Sequence, residues 1–184
     1  MRKKIFIAIN IPENIKNKLM TSIESDDFAL LPVKWVEKDD LYFIIDFLGY
    51  ASDEDIYEVT QSLDQLKDDL DFFSLSFNKI TVGPSKEDPH VVLLKGTENK
   101  ALNELNKEIL NAINDINLIK KGKKQKFLPH ITLGRVEKSD ANEFKMEDTE
   151  LKISFPVTDI ELVESFKERN KIKYAVLKSI ELGE

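Results

Sequence analysis

Strand-forming segments outnumber helical ones along this chain, and their order is the strongest constraint on its fold. Runs rich in β-branched and aromatic residues fall at 5–9, 41–48, 72–82, 91–95, 130–136, 151–155, 159–166 and 174–180. Three segments instead repeat apolar residues at steps of three and four: Ile15, Leu19, Ile23; then Ile56, Val59, Leu63, Leu66, Leu70; then Leu102, Leu105, Ile109, Ile113, Ile116. The order β, α, β, α, several strands, a helix and a strand-rich end predicts an α+β fold with mostly antiparallel sheets. No Gly/Ser hinge interrupts the 184 residues, so one domain over 1–184 is expected, large enough for a core without disulfides or a structural metal.

Composition removes several chemistries. With no cysteine there is no disulfide scaffold, thiolate nucleophile, zinc ribbon or iron–sulfur cluster. The two histidines, His90 and His130, are too few for a usual zinc set, and neither a metal nor a cofactor is expected. Arg2, Lys3 and Lys4 before an apolar run echo a secretory leader, but the run is short and Asn10 and Pro12 follow at once, so 5–9 reads as a first strand. No stretch of about 18 apolar residues suggests a membrane span. A cytoplasmic monomer is the expectation.

The net charge of -7 sits in one place. Residues 51–71 hold eight acids and one base, a net of -7, which leaves 26 bases and 26 acids elsewhere. With its apolar stripe this segment reads as an amphipathic helix with a solvated acidic face. Global charge therefore does not exclude a polyanionic ligand. At the other extreme Lys120, Lys121, Lys123, Lys124 and Lys126 crowd a glycine-containing stretch just before Phe127, Leu128, Pro129 and His130. It reads either as a solvated loop or as a phosphate-attracting rim.

Two strands carry polar groups in alternation, where residues i, i+2 and i+4 share a face. In one, His130, Thr132 and Gly134 form a row opposite Ile131 and Leu133; in the other, Tyr42, Ile44 and Asp46 form a row opposite Phe43, Ile45 and Phe47. Alternation also sets Arg135 on the face away from His130.

The opening IFIAINIP, Trp35 in VKWVEKDDL, the FLG at 47–49, FLPHITLGR at 127–135 and the closing VTDIELVESF with Tyr174 resemble the RNA 2',3'-cyclic phosphodiesterases, or LigT-like 2'-5' RNA ligases, of the two-histidine phosphoesterases. The resemblance runs over nearly the whole chain. It implies a bilobal fold, two pseudo-symmetric antiparallel sheets flanking a cleft with helices outside, each lobe contributing one His-x-Thr strand. It also implies opening of a cyclic phosphate end of RNA to a 2'-phosphate, one imidazole taking the proton of water and the other protonating the leaving 3'-oxygen, without a metal. The threonine hydroxyls donate to the phosphate oxygens.

Here the second motif is present as His130 and Thr132, while the first is replaced by Tyr42 and Ile44. Loss of one acid or base typically costs ~10²- to 10⁴-fold in rate, so a weak diesterase is expected, with His130 as base and Thr132 as phosphate donor. Tyr42 reads more simply as a filler of the cleft than as a replacement acid, and Asp46 would repel a phosphate. Lys124, Lys126, Arg135 and Phe127 are the candidates for binding substrate, RNA ends or cyclic nucleotides. Trp35 reads as core and His90 as a strand-entry residue. The alternatives are a catalytically dead cleft that still binds RNA ends or nucleotides, and an interaction scaffold using the acidic helix.

Overall fold

The computed structural model describes residues 2–66, 71–86, 88–116, 118, 128–137, 144–169 and 171–183. Leu70 and the lysine stretch before Leu128 lie outside the described residues. In chain order come β1 (Lys3–Asn10), α1 (Glu13–Ile23), the single turn α2 (Asp26–Ala29), β2 (Val33–Trp35), a 3₁₀ turn (Lys38–Asp40), β3 (Tyr42–Ala51), α3 (Asp53–Asp64), β4 (Phe73–Pro84) and β5 (Pro89–Gly96). They are followed by α4 (Lys100–Ala112), β6 (His130–Val136), β7 (Thr149–Val157), β8 (Asp159–Glu168) and β9 (Lys171–Glu181). The strands form two antiparallel sheets, one ordered β3-β1-β8-β9 and the other β2-β6-β5-β4-β7. Hence the α+β architecture with antiparallel sheets expected from the sequence is the one observed.

The helices begin where local chemistry satisfies their free N–H groups. At α3 the Ser52 hydroxyl accepts from the Asp55 N–H at 3.1 Å and the Asp55 carboxylate accepts from the Ser52 N–H at 2.7 Å, a reciprocal capping box. Asp53, Glu54 and Asp55 place negative charge at the positive end of that helix dipole, which accounts for part of the acidic segment. At α4 the Asn99 side chain accepts from the Leu102 N–H at 3.0 Å, and Leu102, Leu105 and Ile109 bury the predicted stripe.

One core joins the sheets and helices. Ile5, Ile7 and Ile9 of β1 meet Leu19 and Ile23 of α1, Phe43 and Ile45 of β3, and Ile131 and Leu133 of β6. The intervening Phe6 and Ala8 are also buried, but against Val163, Tyr42, Ile44 and Tyr174 on the other face. Residues 5–9 are thus an unbroken apolar run because the strand is covered on both sides.

Gly134 in β6 lies against β2: a Cβ there would stand 2.4 Å from Val33 Cγ1, 2.9 Å from Trp35 Cε3 and 3.2 Å from the Lys34 carbonyl oxygen. The carbonyl belongs to a paired strand and cannot give way easily. Gly134→Ala is expected to lower stability by ~1–3 kcal/mol, the usual cost of overpacking, read from the denaturant midpoint. An unchanged midpoint would show that β2 yields freely.

Candidate functional site

β6 and β3 lie beside each other where the two sheets meet, and each carries one row of side chains on the face away from the main core, the groove face. In β6 the row is not the one simple alternation gives. Val92 of β5 pairs with Gly134, but the next residue, Leu93, pairs with Thr132, so Leu133 is an extra residue in the ladder. Such a bulge puts two consecutive side chains on the same face and reverses the alternation beyond it. Ile131, Leu133, Gly134 and Val136 are buried, whereas His130 and Arg135 are exposed and Thr132 half-buried. Arg135 pairs with Val91, Thr132 with Leu93 and His130 with Lys95, all residues of one face of β5, while Val92 and Leu94 point into the core. His130, Thr132 and Arg135 therefore share the groove face, with Lys95 beside the imidazole and Lys34 of β2 beside the guanidinium. This corrects the placement of Arg135 on the opposite face.

His130 is held in a defined tautomer. Its Nδ1 lies 2.8 Å from the Leu128 carbonyl oxygen. A carbonyl only accepts, so Nδ1 carries the proton and the neutral ring keeps its lone pair on Nε2. An imidazole fixed in this way can receive a proton from a molecule in the groove.

β3 repeats the device. Ile7 of β1 pairs with Asp46 and Ala8 with Ile44, which leaves Ile45 as the extra residue, and a second irregularity follows at Leu48 before Gly49, whose φ of +87° suits glycine. The first bulge moves Asp46 to the face of Ile7 and brings Phe47 opposite Phe6. The groove row is accordingly Tyr42, Ile44 and Phe47, the counterpart of His130, Thr132 and Arg135, and both Asp46 and Phe47 change sides relative to the alternating pattern. The Asp46 carboxylate accepts from the Phe47 N–H at 2.8 Å; burial raises its pKa and that bond opposes the shift. Asp46 is thus a bulge residue and does not set a negative charge in the phosphate row.

The β3 side of the groove is aromatic. The Phe6 ring lies 6.1 Å from Tyr42, 5.7 Å from Phe47 and 5.3 Å from Tyr174, and Tyr42 lies 5.8 Å from Tyr174, with most of these pairs edge to face. Phe47 remains 55% exposed, so its ring is available in the groove. Facing it is a wall carrying an imidazole, a hydroxyl and several cations. Arg135 is close enough to favour ionisation of Tyr174, although burial has the larger effect and raises that phenol's pKa.

Beneath Tyr42 lies a residue that the alternating rows did not single out. Glu161 of β8 is 8% exposed and lies close enough to Tyr42 for each to shift the other's ionisation. Burial raises the pKa of Glu161, with Asp159 adding to the effect and Lys16 and Tyr42 opposing it. Burial, followed by the neighbouring Glu161, pushes the Tyr42 phenol up to about 12. Lys16 of α1, equally buried, holds its ammonium 5.3 Å from the centre of the Tyr42 ring. The available sequence signal was an acid in the row of Val163 within a strand flanked by apolar residues.

A model of the 2'-5' RNA ligase superfamily matches residues 47–168. The chain belongs to that superfamily. The match contains His130, Thr132 and Arg135 and begins after Tyr42 and Ile44. The RNA 2',3'-cyclic phosphodiesterase of Bacillus subtilis is 30% identical over 135 residues, covering 73% of this chain and 72% of the relative. The protein of the same name from Methanocaldococcus jannaschii is 30% identical over 146 residues, covering 79% and 78%. The fold of E. coli LigT complexed with 3'-AMP superposes with a TM-score of 0.83 over 100% of both chains at 22% identity.

In this superfamily member Trp35 packs edge to face with Phe28 at 6.0 Å against the core, so it is not a base-stacking platform in the groove. His90 is exposed at the start of β5, with its Nε2 3.1 Å from the Asp88 carboxylate. Lys124, Lys126 and Phe127 lie outside the described residues. Among the described residues no group of three or more His, Asp or Glu is placed to hold a metal, and no helix is long and apolar enough to cross a membrane.

Proposed function

We propose that the protein is a divergent RNA 2',3'-cyclic phosphodiesterase that opens cyclic phosphate ends of RNA slowly, leaving a 2'-phosphate, and that its two lobes act as one domain. The observation that carries this reading is His130: Nδ1 is tied to the Leu128 carbonyl, which leaves Nε2 as the proton acceptor on a face shared with Thr132 and Arg135. In this scheme Nε2 takes a proton from water as the water oxygen bonds to phosphorus. The Thr132 hydroxyl and the Arg135 guanidinium donate to the non-bridging oxygens, where charge increases. The exposed Phe47 ring opposite offers a surface for a base, with Lys34 and Lys95 flanking the phosphate. Relatives named RNA 2',3'-cyclic phosphodiesterase, and a LigT structure complexed with 3'-AMP, support a nucleotide-sized ligand ending in phosphate.

A second reading, a groove that binds RNA ends without turning them over, is favoured by one observation: Tyr42, in the place of an imidazole, is engaged by Glu161. The two are separated by incubating the purified protein with an oligoribonucleotide bearing a 2',3'-cyclic end in excess EDTA. Conversion to the 2'-phosphate is expected at a rate ~10²- to 10⁴-fold below that of a member with both motifs. Binding without conversion would replace this reading with that of a binder, and the absence of both would remove RNA ends as the ligand.

A further inference from the structure

The strongest feature not yet given a role is the buried pair behind the aromatic wall. Glu161 is more than nine-tenths buried, and its Oε2 has no hydrogen-bond partner among the described residues. The strand register explains how it reaches Tyr42. Ala8 of β1 pairs with Ile44 on one side and with Glu161 on the other, and Tyr42 stands two pairs further along on the same face, opposite Asn10. Ala8 extends only a methyl into the groove, so the Tyr42 ring can lean across it to the carboxyl on β8.

Hydrogen-bond bookkeeping then limits what this pair can do. A phenol has one proton. When Glu161 is ionised, that proton is held by the carboxylate and cannot be offered to a ligand. When Glu161 is neutral, it donates to Tyr42 Oη and the tyrosine proton is free to point into the groove. We propose that Glu161 is the positioning residue that makes Tyr42 the proton donor of this groove, in place of the missing imidazole; the proposal rests on the phosphodiesterase reading above.

The step balances. As His130 Nε2 takes a proton from water and the water oxygen bonds to phosphorus, the bond from phosphorus to the 3'-oxygen breaks with its electron pair on oxygen. Tyr42 passes its proton to that oxygen, and Glu161 passes its carboxyl proton to Tyr42 Oη. The negative charge left on Glu161 lies near the Lys16 ammonium, and after product leaves His130 gives its extra proton to solvent while Glu161 takes one back. Burial favours the neutral carboxyl that the step requires. Burial also raises the pKa of the Tyr42 phenol, which therefore stays protonated until it is used. The other titratable groups bearing on the pair are Lys16 of α1, Asp40 of the 3₁₀ turn, Asp159 along β8 and Tyr174 of β9. Arg135 of β6 acts on Tyr174.

The test is a set of kcat and KM profiles against pH for wild type, Tyr42→Phe, Glu161→Gln and the double variant, on an RNA with a 2',3'-cyclic end. Both substitutions preserve shape. Because activity requires the Glu161 proton, wild-type kcat is expected to fall on the alkaline side as that proton is lost. Glu161→Gln should abolish this limb and lower kcat about tenfold or more with KM little changed. Tyr42→Phe should lower kcat further, and the double variant should match Tyr42→Phe alone, since both residues act through one proton. A Glu161→Gln protein with wild-type kcat and pH profile, or effects that multiply in the double variant, would overturn the proposal while leaving the phosphodiesterase reading intact. A wild-type protein with no turnover overturns both.

Discussion

His130→Ala is expected to lower kcat for a cyclic phosphate end by ~10²- to 10⁴-fold, a loss of roughly 3–5.5 kcal/mol of transition-state stabilisation. The loss should fall on kcat. Thr132 and Arg135, the proposed phosphate contacts, stay in place, so KM should move little. Stability should also hold, because the side chain is exposed and its hydrogen bond is to a carbonyl two residues away that water can satisfy. Measurement of kcat, KM and the melting midpoint together therefore separates chemistry from folding. A loss below about tenfold would mean that another group, or water itself, takes the proton, and His130 would cease to be the base. The test is sharp because the only other histidine, His90, sits beside Asp88 at the opposite end of β5 from Lys95, the residue that pairs with His130.

Phe6→Ala should be the most damaging single change for folding of the aromatic wall. The ring is fully buried and meets Tyr42, Phe47 and Tyr174 within 5.3 to 6.1 Å. Truncation of a buried phenylalanine typically costs ~3–5 kcal/mol through lost burial and the cavity left behind. For a chain of this size that corresponds to a fall in melting temperature of roughly 6–20 °C. Phe6→Leu, which keeps more volume, should cost distinctly less. A shift of only a degree or two for Phe6→Ala would mean that Tyr42 and Tyr174 close the gap, and that the wall is a soft surface and not a packed layer. The substitution has a second expected consequence: with its support gone, the Tyr42 ring is no longer held over Ala8, and the contact with Glu161 should loosen.

Both results depend on a division that the residues themselves explain. The element order was legible because apolar periodicity comes from burial: the stripes at Leu19 and Ile23, Val59 and Leu63, and Leu102, Leu105 and Ile109 are where the helices meet the core. The motif proposed as catalytic was legible as a pattern as well, since Pro129, His130, Thr132, Leu133 and Arg135 lie within seven consecutive residues. Short elements were missed. β2 and α2 have three and four residues, too few to display a period, and β2 is ordered by pairing with β6.

What alternation assigned wrongly were the side chains beyond each bulge. Arg135, Asp46 and Phe47 all changed face because an extra residue in a ladder is a property of two strands together, and the sequence of one strand does not carry it. The pairing of Tyr42 with Glu161 was equally out of reach. These residues are 119 positions apart in the numbering and meet only because β1 lies between β3 and β8 with Ala8 at the crossing. The sequence by itself thus determined the order of elements, the family and the contiguous pattern around His130, all of which rest on local pattern. Only the tertiary structure decided which side chains share the groove, because that depends on register between strands distant in the chain.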